Sequence, residues 1–154
     1  MALTDDMKQA VERVRLGFVA TVCPDGTPNL SPKGTLSVLD NDHLVFADIR
    51  SPGTVTNLRS NRNMEINVVD VFSRKGYRFK GTGVVHEQGE VFDTFIEFFG
   101  KRKLADAPRR IKAVVVMKVL SALPLVSPGY DYGSTEKDMV GQWRDYYLSA
   151  NRDR

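Results

Sequence analysis

The residues best suited to chemistry lie between Asn29 and Asn57, in the stretch NLSPKGTLSVLDNDHLVFADIRSPGTVTN. Its first half carries Ser31, Pro32, Lys33 and Gly34 in succession, an unusual set for a strand interior. Proline removes a ladder donor and glycine removes a side chain, so both suit a sheet edge, a bulge or a close backbone approach to a ligand. The second half ends in Asp48, Ile49, Arg50, Ser51, Pro52, Gly53 and Thr54. Ser51 is placed to cap a helix whose first residue is Pro52, where a missing N–H costs nothing. A helix start with free amides, the hydroxyls of Ser51 and Thr54, and Arg50 beside them suits a phosphate. Lys33, one strand away, is in range of the same region. A strand lysine is ordinarily a solvated side chain and a serine before proline is ordinarily a plain cap. Capping and phosphate binding share one geometry, so the residues alone leave both roles open for Ser51 and Thr54.

The elements that must position these residues follow from periodicity. Thr4 is the expected N-cap of a helix over 4–15, with Asp5 and Asp6 favoured by the dipole and Met7, Ala10, Val11 and Val14 forming one apolar stripe. Strands are expected at Phe18–Val22, Leu30–Leu39 and Leu44–Asp48, joined by turns at Pro24–Thr27 and Asp40–Asp42 as an antiparallel meander. A short helix over Pro52–Arg59 leads to a strand over Met64–Val71 and a turn at Ser73–Gly76. The strand Tyr77–Val85 alternates, with Tyr77, Phe79 and Gly81 on one face and Arg78, Lys80 and Thr82 on the other. A helix over 91–103 carries four phenylalanines, read as core in preference to a subunit interface, and Pro108 stops its extension. The apolar run Ile111–Leu120 reads as a central strand. A turn-rich loop over 127–133 precedes a capping box at Thr135 and Asp138 and a terminal helix with Met139, Val140, Trp143 and Tyr147 on one side. Six strand starts suit a small closed or split barrel.

The motif SPKGTL, followed after a hairpin by LVFADIRSPGTVTNLRSN, resembles the flavin-binding core of the pyridoxamine 5'-phosphate oxidase-like family. The resemblance spans roughly Gly17–Val85. It implies a mainly β fold, a six-stranded antiparallel split barrel of the FMN-binding type with peripheral helices, in a single domain over 1–154. It implies FMN held at a homodimer interface by Ser31, Pro32, Lys33, Asp48, Ile49, Arg50, Ser51, Gly53, Thr54 and Tyr77, with the strand at Tyr77–Lys80 or the C-terminal tail of one subunit closing over the other's flavin. Lys33 is expected against the ring edge of the flavin, since Ser51, Thr54 and Arg50 already crowd the phosphate. The implied activity is that of a small oxidoreductase served by a redox partner or nicotinamide donor. A deazaflavin-dependent reductase and a flavin-binding carrier or sensor without turnover are the alternatives, and a barrel with no cofactor is a third. Pro52-Gly53 stands where many members carry Arg-Lys, so the phosphate charge falls to Arg50, Lys33, Arg74 or Arg78. The resemblance does not extend to the oxidase's substrate-gripping arginine and histidine, which argues against that enzyme's own reaction.

Composition narrows the classes further. In 154 residues, 42% are apolar and 27% charged, with a net charge of +3 and dispersed basic residues, which gives no support to nucleic-acid binding. No apolar run is long enough to cross a bilayer, and the polar N-terminus is unlike a secretory signal, so a cytoplasmic protein is expected. The single cysteine, Cys23, lacks a neighbouring base and is assigned no nucleophilic role. His43 and His86 have no second ligand at metal-like spacing. Tyr130, Tyr132 and Trp143 are read as packing residues.

Overall fold

The computed structural model describes residues 1–102 and 110–152. Helix α1 (Asp5–Val14) is capped by Thr4, whose hydroxyl accepts from the Met7 N–H at 3.3 Å, and it ends where Arg15 turns left-handed at φ 54°. Met7, Ala10 and Val11 are its buried stripe, as the 3–4 spacing requires. The strands are β1 (Gly17–Val22), β2 (Pro28–Lys33), β3 (Ser37–Val38), β4 (His43–Asp48), β5 (Asn63–Asp70), β6 (Lys75–His86) and β7 (Ala113–Val126). They form one antiparallel sheet in the order β2-β1-β5-β6-β7-β4-β3, curled into a split barrel. Helices α2 (Pro52–Ser60), α3 (Glu90–Lys101) and α4 (Glu136–Ala150) lie on its periphery.

The expected continuous strand Leu30–Leu39 is instead two strands at opposite edges of the sheet. β2 pairs with β1, β3 pairs with β4, and residues 34–36 carry the chain across the seam between them. The meander therefore breaks at this strand, and the sheet has seven strands rather than six. Pro32 and Gly34 are the cause: one withholds a donor and the other a side chain at the point where the ladder ends.

Val19, Ile66, Phe79 and Met117 fill the barrel interior with no exposure, and Leu3, Met7 and Val11 of the N-terminal segment pack onto them. A second cluster lies on the opposite face of β4 and β7, where Phe95 and Phe99 of α3 bury against Val45, Ala47 and Val114. The phenylalanine-rich helix thus serves the core. The part of its expected span at 103, and Pro108 beyond it, lie outside the described residues.

Strand β6 alternates as its sequence requires, with Phe79 and Gly81 buried and Lys80 exposed. Its pairing with β7 slips at Lys80/Gly81, where Leu120 is left over as a bulge. A Cβ on Gly81 would fall 1.9 Å from the Lys118 carbonyl oxygen, and one on Gly76 would fall 1.8 Å from that of Val68. β7 runs six residues past its expected end at Leu120 and includes Pro124. β4 pairs with β7 only up to Lys118, so the missing donor of Pro124 falls where β7 has a single neighbour.

The capping box of α4 forms, with Thr135 and Asp138 exchanging hydrogen bonds. The helix docks through the Arg74 guanidinium, 3.5 Å from the Trp143 ring centroid, and through Lys75 to Glu136 at 2.7 Å. Tyr130, in a 3-10 helix at Pro128–Tyr132, donates to the Ser73 carbonyl at 2.6 Å. Tyr132 does not pack as expected and is 90% exposed. No helix among the described residues is long and apolar enough to cross a membrane.

Gly76→Ala drives a methyl into the β5 backbone and is expected to lower stability by about 1–3 kcal/mol in urea denaturation. An unchanged midpoint would show that β6 has room to move away from β5.

Candidate functional site

Alternation along β2 turns Asn29, Ser31 and Lys33 inward and leaves Leu30 and Pro32 outward. Pro32 is tolerated because β2 is an edge strand with β1 on one side only. The turn after β4 approaches from the other side of the seam. Asp48, itself 3% exposed, accepts the Ser51 N–H through Oδ1 at 2.7 Å and so fixes the turn that presents the Ser51 hydroxyl.

The two segments meet at Lys33. Its Nζ lies 2.6 Å from the Ser31 hydroxyl and 2.6 Å from that of Ser51, and the two serine oxygens are 3.1 Å apart. Lys33 is only 4% exposed, and its Nζ sits 5.7 Å from the Phe46 ring centroid. Burial pushes the lysine below its usual pKa of 10.5, and the negative charge of Asp48 opposes the shift.

Ser51 is the N-cap residue of α2, but its side chain does not cap the helix, which corrects the expectation from sequence. Its hydroxyl is taken by Lys33 and Ser31, and its carbonyl accepts the Thr54 N–H at 3.1 Å instead. Thr54 is 1% exposed and its hydroxyl has no hydrogen-bond partner among the described residues. A pocket of about 150 Å³ opens here, lined by Lys33, Thr35, Ile49, Arg50 and Ser51 among others. A buried ammonium, two hydroxyls and a helix N-terminus make a donor set for an anionic group such as a phosphate.

Ser31, Pro32, Lys33, Asp48, Ile49, Arg50, Ser51 and Thr54 are therefore gathered at one place. Gly53 adjoins it at the helix start, where an added Cβ would meet only Asn29 Oδ1 at 3.7 Å, an ordinary contact. Tyr77 stands apart: its hydroxyl donates to Asp6 of α1, and that bond raises its pKa. Arg74 is stacked on Trp143 and Arg78 lies 2.9 Å from Glu65, so neither joins the cluster.

Sequence reasoning missed the polar layer behind the site. Asn57 Nδ2 donates to Thr21 Oγ1 at 3.1 Å and Asn29 Nδ2 donates to the same oxygen at 3.1 Å, tying α2 and β2 to β1. The signal was an asparagine on the apolar side of a short helix. Thr35 was also missed; its hydroxyl accepts the Ala47 N–H at 2.9 Å and extends the β3–β4 pairing. At the β3–β4 turn, His43 Nδ1 lies 3.0 Å from Asp40 Oδ1 and 2.8 Å from Asp42 Oδ1, neighbours the sequence reading did not give it. Asp40 Oδ1 also accepts two backbone N–H groups, so its lone pairs are already engaged.

The sequence matches the pyridoxamine 5'-phosphate oxidase family over residues 3–122, and the chain belongs to that family. The match begins before Gly17 and runs past Val85, taking in α1, α3 and most of β7. An uncharacterized protein of Methanocaldococcus jannaschii is 27% identical over 133 residues, which is 85% of each chain. The solved structure of HupZ from Group A Streptococcus superposes with a TM-score of 0.71 at 28% identity, covering 81% of this chain and 95% of that one. An FMN-binding protein of Syntrophomonas wolfei shares the fold at 17% identity and a TM-score of 0.65, covering 79% of this chain and 84% of its own.

Because folding lowers the pKa of Lys33, the unfolded chain binds more protons between that lowered value and 10.5. Its contribution to stability therefore rises with pH across that window and is complete above it. Lys33→Met is expected to lose this rise, seen as a wild-type urea midpoint that climbs relative to the variant's toward high pH. A constant difference between them would place the lysine in an unshifted environment.

Proposed function

We propose that this chain binds FMN at the Lys33–Ser51 cluster, within a homodimer, and acts as a small flavin-dependent oxidoreductase. The observation that carries the reading is the buried Lys33 ammonium held at 2.6 Å by both Ser31 and Ser51, beside the unpartnered Thr54 hydroxyl at the start of α2. A phosphomonoester suits these donors, and the hydroxyl left without an acceptor or donor marks where a further hydrogen bond is available. The Lys33 amine shares its position with Ser51, which supports a role at the phosphate over one at the ring edge. Arg50, exposed at the same pocket, adds a second cation in place of the Arg-Lys pair that Pro52-Gly53 replaces.

FMN supplies hydride and single-electron transfer, so the chain's part is to bind, orient and exclude water. Lys33, Ser31, Ser51 and the amides of α2 anchor the phosphate, and Asp48 holds Ser51 in register for it. A pocket of about 150 Å³ is small for a whole flavin mononucleotide, which supports a ring lodged against a second copy of the chain. The outer face of β2 and β1 supports the same reading, with Leu30 65% and Phe18 46% exposed. A nicotinamide is the proposed electron donor.

FMN titration tests the site. Wild-type protein is expected to quench the fluorescence of added FMN, and Lys33→Met to weaken the affinity about 10- to 100-fold, the loss of one charge-assisted contact. Riboflavin, which lacks the phosphate, is expected to bind both proteins alike. A colourless preparation that leaves FMN fluorescence unquenched sinks the flavin reading. Oxidation of a nicotinamide under anaerobic conditions with bleaching of the flavin band is the expected sign of turnover.

Light scattering is expected to return twice the chain mass at micromolar concentration. A monomer mass with flavin bound would refute the shared site.

A further inference from the structure

The cluster at the end of β4 has a second chemical reading that needs no cofactor. Ser51 stands at a strand–turn–helix junction, between β4 and α2, where a nucleophile is exposed at the end of a sheet and backed by helix amides. Its hydroxyl is 2.6 Å from an amine, and that amine is held at 2.6 Å by a third group, Ser31. This is the arrangement of nucleophile, base and orienting group that activates serine in catalysis, with lysine as the base.

We propose that the flavin-free site is an acyl-transfer centre for esters with a short acyl group, with Ser51 as nucleophile and Lys33 as general base. The proposal stands on the Ser31–Lys33–Ser51 geometry and does not rest on the flavin reading, although both use the same place. Burial of Lys33 favours its free-base form relative to a surface lysine, which is the form that accepts a proton. In that form the Ser51 hydroxyl donates to Nζ, and an N–H of Lys33 donates to Ser31. A pocket of about 150 Å³ beside both residues admits an acyl group of a few carbons and little more.

The steps balance without any further reactant than water. Ser51 Oγ attacks the ester carbonyl carbon while its proton passes to Lys33 Nζ. The carbon–oxygen bond to the leaving group breaks, and the leaving oxygen takes that proton from Lys33. Water then attacks the acyl-serine, giving its proton to Lys33, which returns it to Ser51 Oγ as the carboxylic acid departs. The Ser51 side chain does not cap α2, which leaves the first-turn amides of that helix free of it beside the nucleophile.

The test uses flavin-free full-length chain and p-nitrophenyl acetate. A burst of nitrophenolate stoichiometric with protein is expected, with one acetyl group mapped to Ser51 by peptide mass spectrometry. Ser51→Ala is expected to abolish the burst and Lys33→Met to slow acylation by at least about 100-fold, the usual share of a general base. Lys33→Arg is expected not to rescue it, because a guanidinium keeps its proton. A fluorophosphonate probe, which needs no variant, is expected to label wild-type Ser51 alone. Acetyl found on Lys33 or on surface lysines with Ser51 unmodified overturns the proposal, as does a burst in Ser51→Ala at the wild-type rate. FMN quenching measured on the same preparation separates the two readings. Flavin binding without acyl-Ser51 defeats only this one, and acyl-Ser51 without flavin binding defeats only the other.

Discussion

The buried ammonium of Lys33 between two serine hydroxyls is the contact on which the rest of the structure turns. Taking a cation out of water costs several kcal/mol unless hydrogen bonds and a counter-charge replace its hydration. Ser31 and Ser51 replace part of that hydration, and Asp48 supplies opposite charge nearby while holding the Ser51 backbone. The contact joins β2, at one edge of the sheet, to the turn after β4, near the other. No ladder hydrogen bonds join those strands. The seam of the barrel is instead closed by side chains, while the Thr35 to Ala47 bond extends the β3–β4 pairing beside it. A closure of this kind leaves polar groups pointing at a pocket, which a continuous ladder would have consumed.

The sheet reaches that seam because it curls, and its curl is built into β6 and β7. The bulge at Leu120 and the backbone contacts at Gly76 and Gly81 admit no side chain where the strands press together. Apolar residues inside the curl and the α3 phenylalanines on its far side then bury the two faces of β4 and β7 separately. On β2, β1 and β5 the outer face leaves Leu30, Phe18 and Val69 exposed. The ion pairs there, Glu65 with Arg78 and Lys80, are partly exposed and contribute little to stability.

Membership of the pyridoxamine 5'-phosphate oxidase family fixes the scaffold and leaves the reaction to the site. Pro52 and Gly53 bring no charge to the helix start, so the positive charge at this site rests on a buried lysine and an exposed Arg50. A buried amine is worth more to an anion than a solvated one, because little water competes for it. The same burial raises the share of the amine that is present as free base.

Much of this was legible in the sequence, element by element. The Thr4 cap, the α4 capping box, the apolar stripe of α1 and the alternation of β6 are local properties, and the chain settles them within a few residues. Pro32 and Gly34 announced an irregular strand, and Ser51-Pro52 announced a helix start. What the sequence left undecided were the outcomes that depend on distant partners. Ser51 read as a cap because its neighbours permit one, yet its hydroxyl is drawn to Lys33, 18 positions away. Leu30–Leu39 read as one strand because its residues favour extension. Only sheet order shows that its two ends belong to opposite edges. Tyr77 was expected over a partner's flavin, and within the chain its hydroxyl donates to Asp6 of α1, a pairing no local pattern announces. Local preference fixes which backbone shape a segment takes; which polar atom satisfies which is fixed only when the folded chain brings competing partners within hydrogen-bond range.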